Sequence, residues 1–384
     1  MTNNIITPPA WRYCRVRGPR PAHLPESTPP LRTLLHGDAT TVLSQLPTAS
    51  FDCVVTSPPY HLLRRYGAGE KEIGTETHVD DYVQRLITVC DELARVLTPT
   101  GSLFLNLGDS FSRGPRYGAP AKSLLLAPER LLLALAERGW SVRNKVVWAK
   151  PNPMPNSIAD RFSTTWEPVY FLVRSERYYF DLDIVRVPHK TTRRPGPVMV
   201  NTKYGGRRPV WAGPLAGAND GLERTRAEGR PGHPLGKNPG DVWTIPTAGY
   251  RGAHFAVFPE NLVRRPILAG CPERVCSRCT KPWVRERRRD RLGTIAPSCE
   301  CRADWRSGRV LDPFMGAGTV GVTAEHLGRD WLGIELNPDF IAIAAQRIAK
   351  ARRPIKDEPH KQHKPGPRLA SFTGQQAIRN SQHY

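Results

Sequence analysis

A chain of 384 residues and 42.9 kDa has room for two domains, or for one large domain with insertions. Its 56 Lys and Arg against 35 Asp and Glu give a formal charge of +21, an excess that points to a polyanionic partner whose phosphates release counterions on contact. No apolar run approaches the ~20 residues that span a bilayer, residues 1–30 lack the apolar stretch of a signal peptide, and eight cysteines are too few for a disulfide scaffold, so a cytoplasmic protein with no membrane contact is expected.

Residues 1–30 and 351–384 are rich in proline and charge and poor in apolar periodicity; they read as a flexible N-terminal tail and a basic, disordered C-terminal tail. Between them, short β-branched runs alternate with helical patterns. Residues 51–56 (FDCVVT) and 102–106 (SLFLN) read as buried strands, and Tyr82, Leu86, Val89, Leu93 and Val96 recur between them at helical spacing behind Asp80, the expected N-cap. A second amphipathic helix over 124–138 stops at Gly139 and leads into a strand over 142–148, with another over 168–173. Residues 186–240, rich in Gly, Pro and Arg, break the rhythm and read as an insertion. The rhythm returns with a strand over 309–312, a helix over 319–327, a strand over 331–334 and a helix over 339–350. Such alternation implies an α/β fold, a mostly parallel sheet with helices on both faces.

The charge follows this division. Residues 186–237, 274–309 and 351–384 carry +8, +7 and +5, which together are +20 of the +21. The pattern is a near-neutral core with basic attachments.

Three motifs carry chemistry. In LDPFMGAGT at 311–319 a strand ends, a Gly-x-Gly turn follows and a helix begins, so the backbone can approach a ligand closely at the carboxyl edge of the sheet. Glu335 ends the next strand, 17 residues after Gly318, where a carboxylate can accept both hydroxyls of a ribose. The pair suggests a nucleoside-bearing cofactor. Gly316, Gly318 and Gly321 also satisfy the dinucleotide fingerprint, so from this stretch alone a dehydrogenase stays open.

The second motif, TSPPY at 56–60, directly follows a strand. Two prolines cannot continue a central strand and hold the chain extended, so Ser57 and the Pro58 carbonyl project as fixed acceptors while Tyr60 presents a ring. That geometry suits an amino group on a flat, stacked base. The third motif is Cys276, Cys279, Cys299 and Cys301, with 19 residues between the pairs, a spacing that fits a closed structural zinc site. Cys271 is a candidate substitute ligand, and the run RERRRDR at 285–291 would offer Arg287, Arg288 and Arg289 to a phosphate backbone.

TSPPY, DPFMGAG at 312–318 and GIEL at 333–336 together resemble the motifs of the DNA amino-methyltransferases that use S-adenosylmethionine to make N4-methylcytosine or N6-methyladenine. Their order matches the permuted beta group, in which the catalytic half precedes the target-recognition region and the cofactor loop comes last. Lesser matches are LHGDA at 35–39, LNLGDS at 105–110, KPNPMPNSIADR at 150–161, NPGDVW at 238–243 and HFAVFPENLV at 254–263. The resemblance displaces the dehydrogenase reading. A DNA-binding module that keeps the fold without transfer is the other alternative, and the intact TSPPY and GAGT stretches speak against it.

The resemblance implies a Rossmann-like methyltransferase sheet. Its catalytic half would occupy residues 31–185, a target-recognition insertion 186–240, and a cofactor-binding half 241–273 and 310–350, interrupted by a zinc knuckle at 274–309. It implies S-adenosylmethionine as cofactor, double-stranded DNA as substrate, and a cognate restriction endonuclease acting separately. Asp38, Phe258, Pro259, Asn261 and Glu335 would help hold the cofactor, with Asp312, Phe314, Gly316, Gly318 and Thr319 forming its loop. In the insertion Arg193, Arg194, Arg207 and Arg208, interleaved with Tyr204 and Trp211, suit phosphate and groove contact. The chain departs from the pattern at Trp166-Glu167, where many members have His-Glu. Ser57 stands where adenine-modifying members more often carry Asp or Asn, which favours N4-cytosine, and Ser57, Pro58, Pro59 and Tyr60 would form the catalytic turn.

Overall fold

A computed structural model of the chain describes residues 31–67, 69–189, 233–248, 257–288 and 291–352. The chain opens with β1 (Thr33–His36) and α1 (Ala39–Ser44), then enters β2 (Phe51–Thr56), which is buried at every position as a central strand must be. Helix α2 (Val79–Val96) turns Tyr82, Leu86, Val89, Leu93 and Val96 into the core. Its N-cap is His78 rather than Asp80: the His78 ring accepts from Asp80 N at 3.2 Å, and Asp80 sits in the first turn, where its charge complements the helix dipole.

Strand β3 (Leu97–Asn106) begins five residues before the apolar run that announces it. Phe51 pairs with Leu97 and Cys53 with Ser102, so Thr98 to Gly101 form an irregular stretch that Pro99 and Gly101 disguise in the sequence. Helix α3 (Ala127–Glu137) starts three residues later than expected, because Leu126 is left-handed (φ 55°) and Asp109 accepts from Leu126 N at 2.8 Å and Ala127 N at 3.2 Å. The strands β4 (Ser141–Ala149), β5 (Trp166–Val173) and β6 (Val242–Thr244) follow, then α4 (Glu260–Gly270). Four short strands come next: β7 (Arg274–Cys276), β8 (Val284–Arg285), β9 (Ile295–Ala296) and β10 (Trp305–Ser307). The chain then runs through β11 (Arg309–Asp312), α5 (Thr319–His326), β12 (Asp330–Glu335) and α6 (Pro338–Arg352).

The main sheet has the order β1-β12-β11-β2-β3-β5-β4-β6. Only β5 runs against its neighbours, because β4 and β5 are joined without the helical crossover that parallel strands need. Helices α1 to α3 close one face over Leu43, Leu86, Leu93, Leu131 and Leu135, and α4 to α6 close the other over Ile267, Val320, Ala344 and Ile348. The late strands β11 and β12 insert between β1 and β2. This brings the carboxyl ends of β2 and β11 together at mid-sheet, where Thr56 Oγ1 donates to Asp312 Oδ1 at 2.7 Å across a separation of 256 residues. A sheet binds ligands where its strand order reverses in this way.

The attachments are partly described. Val187 and Lys237 exchange backbone hydrogen bonds of 3.0 and 2.8 Å, which pin together the two ends of the segment read as an insertion. Arg193, Arg194, Arg207 and Arg208, with Tyr204 and Trp211, lie outside the described residues, as does Arg289. Strand β6 lies beside β4, so residues 242–244 extend the edge of the sheet opposite β1. Helix α6 continues to Arg352, two residues into the segment read as a tail, where the Arg352 guanidinium reaches Glu325 at 2.7 Å. Among the described residues no helix is long and apolar enough to cross a membrane.

Candidate active site

The TSPPY turn leaves the sheet at the carboxyl end of β2 beside that of β3. Tyr82 from α2 donates its hydroxyl to the Pro59 carbonyl at 2.7 Å, and the Tyr60 carbonyl accepts from Leu63 N at 3.3 Å. Among the described residues the Pro58 carbonyl has no such partner. The Ser57 hydroxyl lies 3.4 Å from Asn106 Oδ1, to which it donates, and this leaves its lone pairs to accept. Asn106 is itself fixed, donating to the Pro168 carbonyl at 3.0 Å and to Glu167 at 3.3 Å.

Tyr60 donates to Glu167 Oε2 at 2.6 Å, and Lys150 pairs with the other oxygen of that carboxylate. Burial, and then the negative charge of Glu167, holds the Tyr60 phenol well above its ordinary pKa, so it stays protonated. Its ring packs so closely on Gly108 that a Cβ there would sit 2.5 Å from Tyr60 Cε2, which explains a glycine at this position. Asn106, Gly108, Lys150 and Glu167 all fall within or beside stretches quoted from the sequence, yet none stands out there as a site residue. The one signal is a polar Asn106 closing an otherwise apolar strand.

The second half of the site is the edge where β11 and β12 end. Gly318 has φ +80° and begins α5, and a Cβ on it would meet Ala344 Cβ of α6 at 2.9 Å. Arg347 on α6 donates to the Ala317 carbonyl at 2.5 Å and to Thr319 Oγ1 at 3.2 Å, a latch on the loop that the sequence pattern does not reveal. Burial pushes the pKa of the Glu335 carboxyl up, and its oxygens accept from Gly316 N at 2.7 Å and Asn337 N at 2.8 Å, which shapes the loop. Asp312 is fully buried beneath. Its Oδ1 accepts from Thr56 and from Phe314 N at 3.0 Å, while Oδ2 is buried without a partner.

Phe258, ahead of α4, lines a cavity of about 10 Å³ with Thr56, Asn106, Val169 and Leu262, beside the end of β2. Pro259 is the N-cap of α4 and Asn261 is exposed in its first turn. Asp38 caps α1, accepting from Thr41 N and Oγ1 at 2.9 Å each, so one carboxylate oxygen already has a local role.

Away from this edge, the sulfurs of Cys276, Cys279, Cys299 and Cys301 all lie within 4.8 Å of one another. Cys271 is not among them: it is fully buried against the sheet, with its Sγ 3.9 Å from the Pro272 carbonyl. Arg287 and Arg288 are exposed, and Arg288 pairs with Glu286 at 2.9 Å. Arg285, from the same basic run, is turned inward to Asp181 at 2.8 Å and Glu273 at 3.1 Å, so it is not offered to solvent.

A family model described as DNA methylase matches residues 51–346. The chain is 35% identical over 337 residues to the type II methyltransferase M.Cfr9I of Citrobacter freundii, covering 82% of this chain and 87% of that protein. It is 33% identical over 337 residues to the type II methyltransferase M.XycI of Xanthomonas campestris pv. cyanopsidis, with the same shares covered, 82% and 87%. Among solved structures, the PvuII DNA methyltransferase (cytosine-N4-specific) superposes with a TM-score of 0.52 at 19% identity, over 82% of this chain and 85% of that one, a likeness of fold. With the family model spanning most of the chain and relatives aligned over most of their own length, the chain belongs to the DNA methylase family of S-adenosylmethionine-dependent amino-methyltransferases.

Proposed function

We propose that the chain transfers a methyl group from S-adenosylmethionine to the exocyclic N4 of a cytosine flipped out of duplex DNA, in the cytoplasm, as the modification partner of a separate restriction endonuclease. The observation that carries this reading is the pair of open acceptors in the catalytic turn: the Pro58 carbonyl, left alone while its two successors are hydrogen-bonded, and the Ser57 oxygen, oriented by Asn106. An exocyclic amine is a poor nucleophile because its lone pair is delocalised into the ring. Two acceptors that take its two N–H bonds favour a pyramidal nitrogen with a localised lone pair. The surplus proton leaves to water afterwards, so Tyr60 with its raised pKa need not act as a base. Glu167 and Lys150 hold Tyr60 where its ring can replace the stacking that the base loses on leaving the duplex. Ser57, rather than Asp or Asn, supports cytosine as the target.

The residues present fit the cofactor. A buried carboxylate oxygen on Asp312 with no partner, beside a second carboxylate on Glu335, is an acceptor set suited to a ligand that carries an ammonium, a sulfonium and ribose hydroxyls. Asp38, Phe258, Pro259, Asn261, Phe314, Gly316, Gly318 and Thr319 would complete the surround. When bound, S-adenosylmethionine supplies an electrophilic methyl on its sulfonium. The four cysteines fit a structural zinc, since zinc–thiolate bonds of about 2.3 Å in a tetrahedron place the sulfurs roughly 3.8 Å apart. The basic insertion with Arg193, Arg194, Arg207 and Arg208, and the knuckle with Arg287, Arg288 and Arg289, would supply the attraction to DNA.

Mass spectrometry of nucleosides from DNA incubated with the chain and labelled cofactor is expected to find N4-methylcytosine. N6-methyladenine would overturn the choice of base, and unmodified DNA would overturn the reaction. The Ser57→Ala variant is expected to transfer about 100-fold more slowly, the scale of losing one aligned polar group in a preorganised site, with cofactor affinity unchanged by calorimetry. Parent-like transfer by this variant would remove Ser57 from the mechanism.

A further inference from the structure

The loop that joins β4 to β5 begins and ends on the catalytic network, with Lys150 at one end and Glu167 at the other, paired across its base. Large apolar side chains stand exposed along it: Met154 (84%), Ile158 (39%), Phe162 (98%) and Trp166 (42%). Phe162 does not hang from a loose segment. Ser163 Oγ donates to Asn156 at 3.2 Å, Arg161 stacks its guanidinium 3.6 Å from the Phe111 ring centroid, Asp160 pairs with Lys122 at 2.7 Å, and Lys150 N closes the base on the Thr165 carbonyl at 2.9 Å. A fixed backbone therefore holds a phenyl ring in water, with its neighbours on both sides tied down. The adjoining segment, residues 110–124, presents exposed Arg113 and Arg116, and neither meets a carboxylate among the described residues. An apolar tip beside basic side chains, rooted on the catalytic pocket, matches the chemistry of a base stack bordered by phosphates.

We infer that Phe162 enters the duplex and fills the gap left by the flipped base, with Arg113 and Arg116 on the flanking phosphates. This rests on the reading above that the target base leaves the helix. Removing a base from the stack costs a few kcal/mol, and an apolar side chain that takes its place offsets part of that cost.

The test uses duplexes that carry the sequence found methylated in DNA from cells expressing the chain, one matched and one with a mismatch opposite the target, where flipping is already easy. Phe162→Ala is expected to lose about 10-fold in kcat/KM on the matched duplex and under about 3-fold on the mismatched one. The KM for the cofactor should not move, and Phe162→Leu should recover most of the loss. Equal losses on both duplexes, or none on either, would overturn the role of Phe162. Were the product N6-methyladenine, the choice of base would fall, and the same comparison with the mismatch opposite adenine would still decide the role of Phe162.

Discussion

Stripping the metal from the four-cysteine site is expected to release about one zinc per chain and to lower the melting temperature by about 10 °C. The size follows from how the knuckle is built into the sheet. Strands β7 and β10 pair at its base, and Arg274 lies between Trp283 and Trp305, 5.2 and 4.3 Å from their ring centroids. One residue further along β10, Arg306 clasps both oxygens of Asp52 at 2.7 and 3.3 Å, and Arg309 N adds a bond of 2.9 Å to the same carboxylate. Asp52 is only 3% exposed and lies at the start of β2, the strand that leads into the TSPPY turn. If the knuckle opens, Asp52 loses its guanidinium and is left as a buried, unpaired charge, which costs about 3–5 kcal/mol. At about 2–4 °C per kcal/mol for a unit of this size, the melting point moves by about 10 °C. Elemental analysis and melting curves before and after chelation check both numbers. Protein that contains no metal and melts at an unchanged temperature would mean that the cysteines are a reduced cluster of ordinary thiols.

The parts of this architecture that were legible in the sequence are those governed by local rules. β2 is a mostly apolar, β-branched run, interrupted by Asp52 and closely followed by two prolines, and α2 is a five-residue apolar stripe at helical spacing, so period and punctuation suffice. The glycine loop and the paired cysteines are visible because their chemistry demands fixed spacings. Elements set by tertiary contact are less visible. The irregular start of β3 forms only because Phe51 is there to pair with Leu97, and the late start of α3 depends on Asp109 reaching forward 17 residues to its first turn.

The same holds for the site. Ser57, Pro58, Pro59 and Tyr60 are neighbours in the chain, and the motif exposes them together. Glu167 and Asn106 reach Tyr60 from two other strand ends, Lys150 reaches Glu167 from a third, and no periodicity links them. Arg285 illustrates the opposite failure: in a run of basic residues it looks like its neighbours, yet Asp181, distant in sequence, draws it inward. Composition locates the charge, and only the fold separates an arginine left exposed, as Arg287 is, from one turned inward, as Arg285 is.

Asp312 should give the site a pH signature. Burial, opposed by the hydrogen bonds from Thr56 and Phe314 N and reinforced by nearby Glu335, pushes its pKa up to about 7 from the ordinary 3.8. A carboxyl whose pKa is raised on folding favours the folded state below pH 4, and this contribution is lost as pH rises through 7. The difference amounts to on the order of 4 kcal/mol across that window. Asn at this position keeps an oxygen for Thr56 and Phe314 N but never ionises, although its amide would lack an acceptor where Oδ2 lacks a donor, at about 1–3 kcal/mol. Asp312→Asn is therefore expected to melt at or below the parent at pH 5 and to gain roughly 8 °C on it by pH 8 in the absence of cofactor. Cofactor affinity should move the other way. A ligand bearing positive charge favours the ionised carboxylate, so the parent should bind more tightly as pH rises toward 7, and the variant should bind at least tenfold more weakly with that pH dependence gone. Melting curves at the two pH values and cofactor titrations across the same range give the answer. A stability difference that does not change with pH would mean that Asp312 is ionised throughout, and its open oxygen would then already be satisfied by something other than the cofactor.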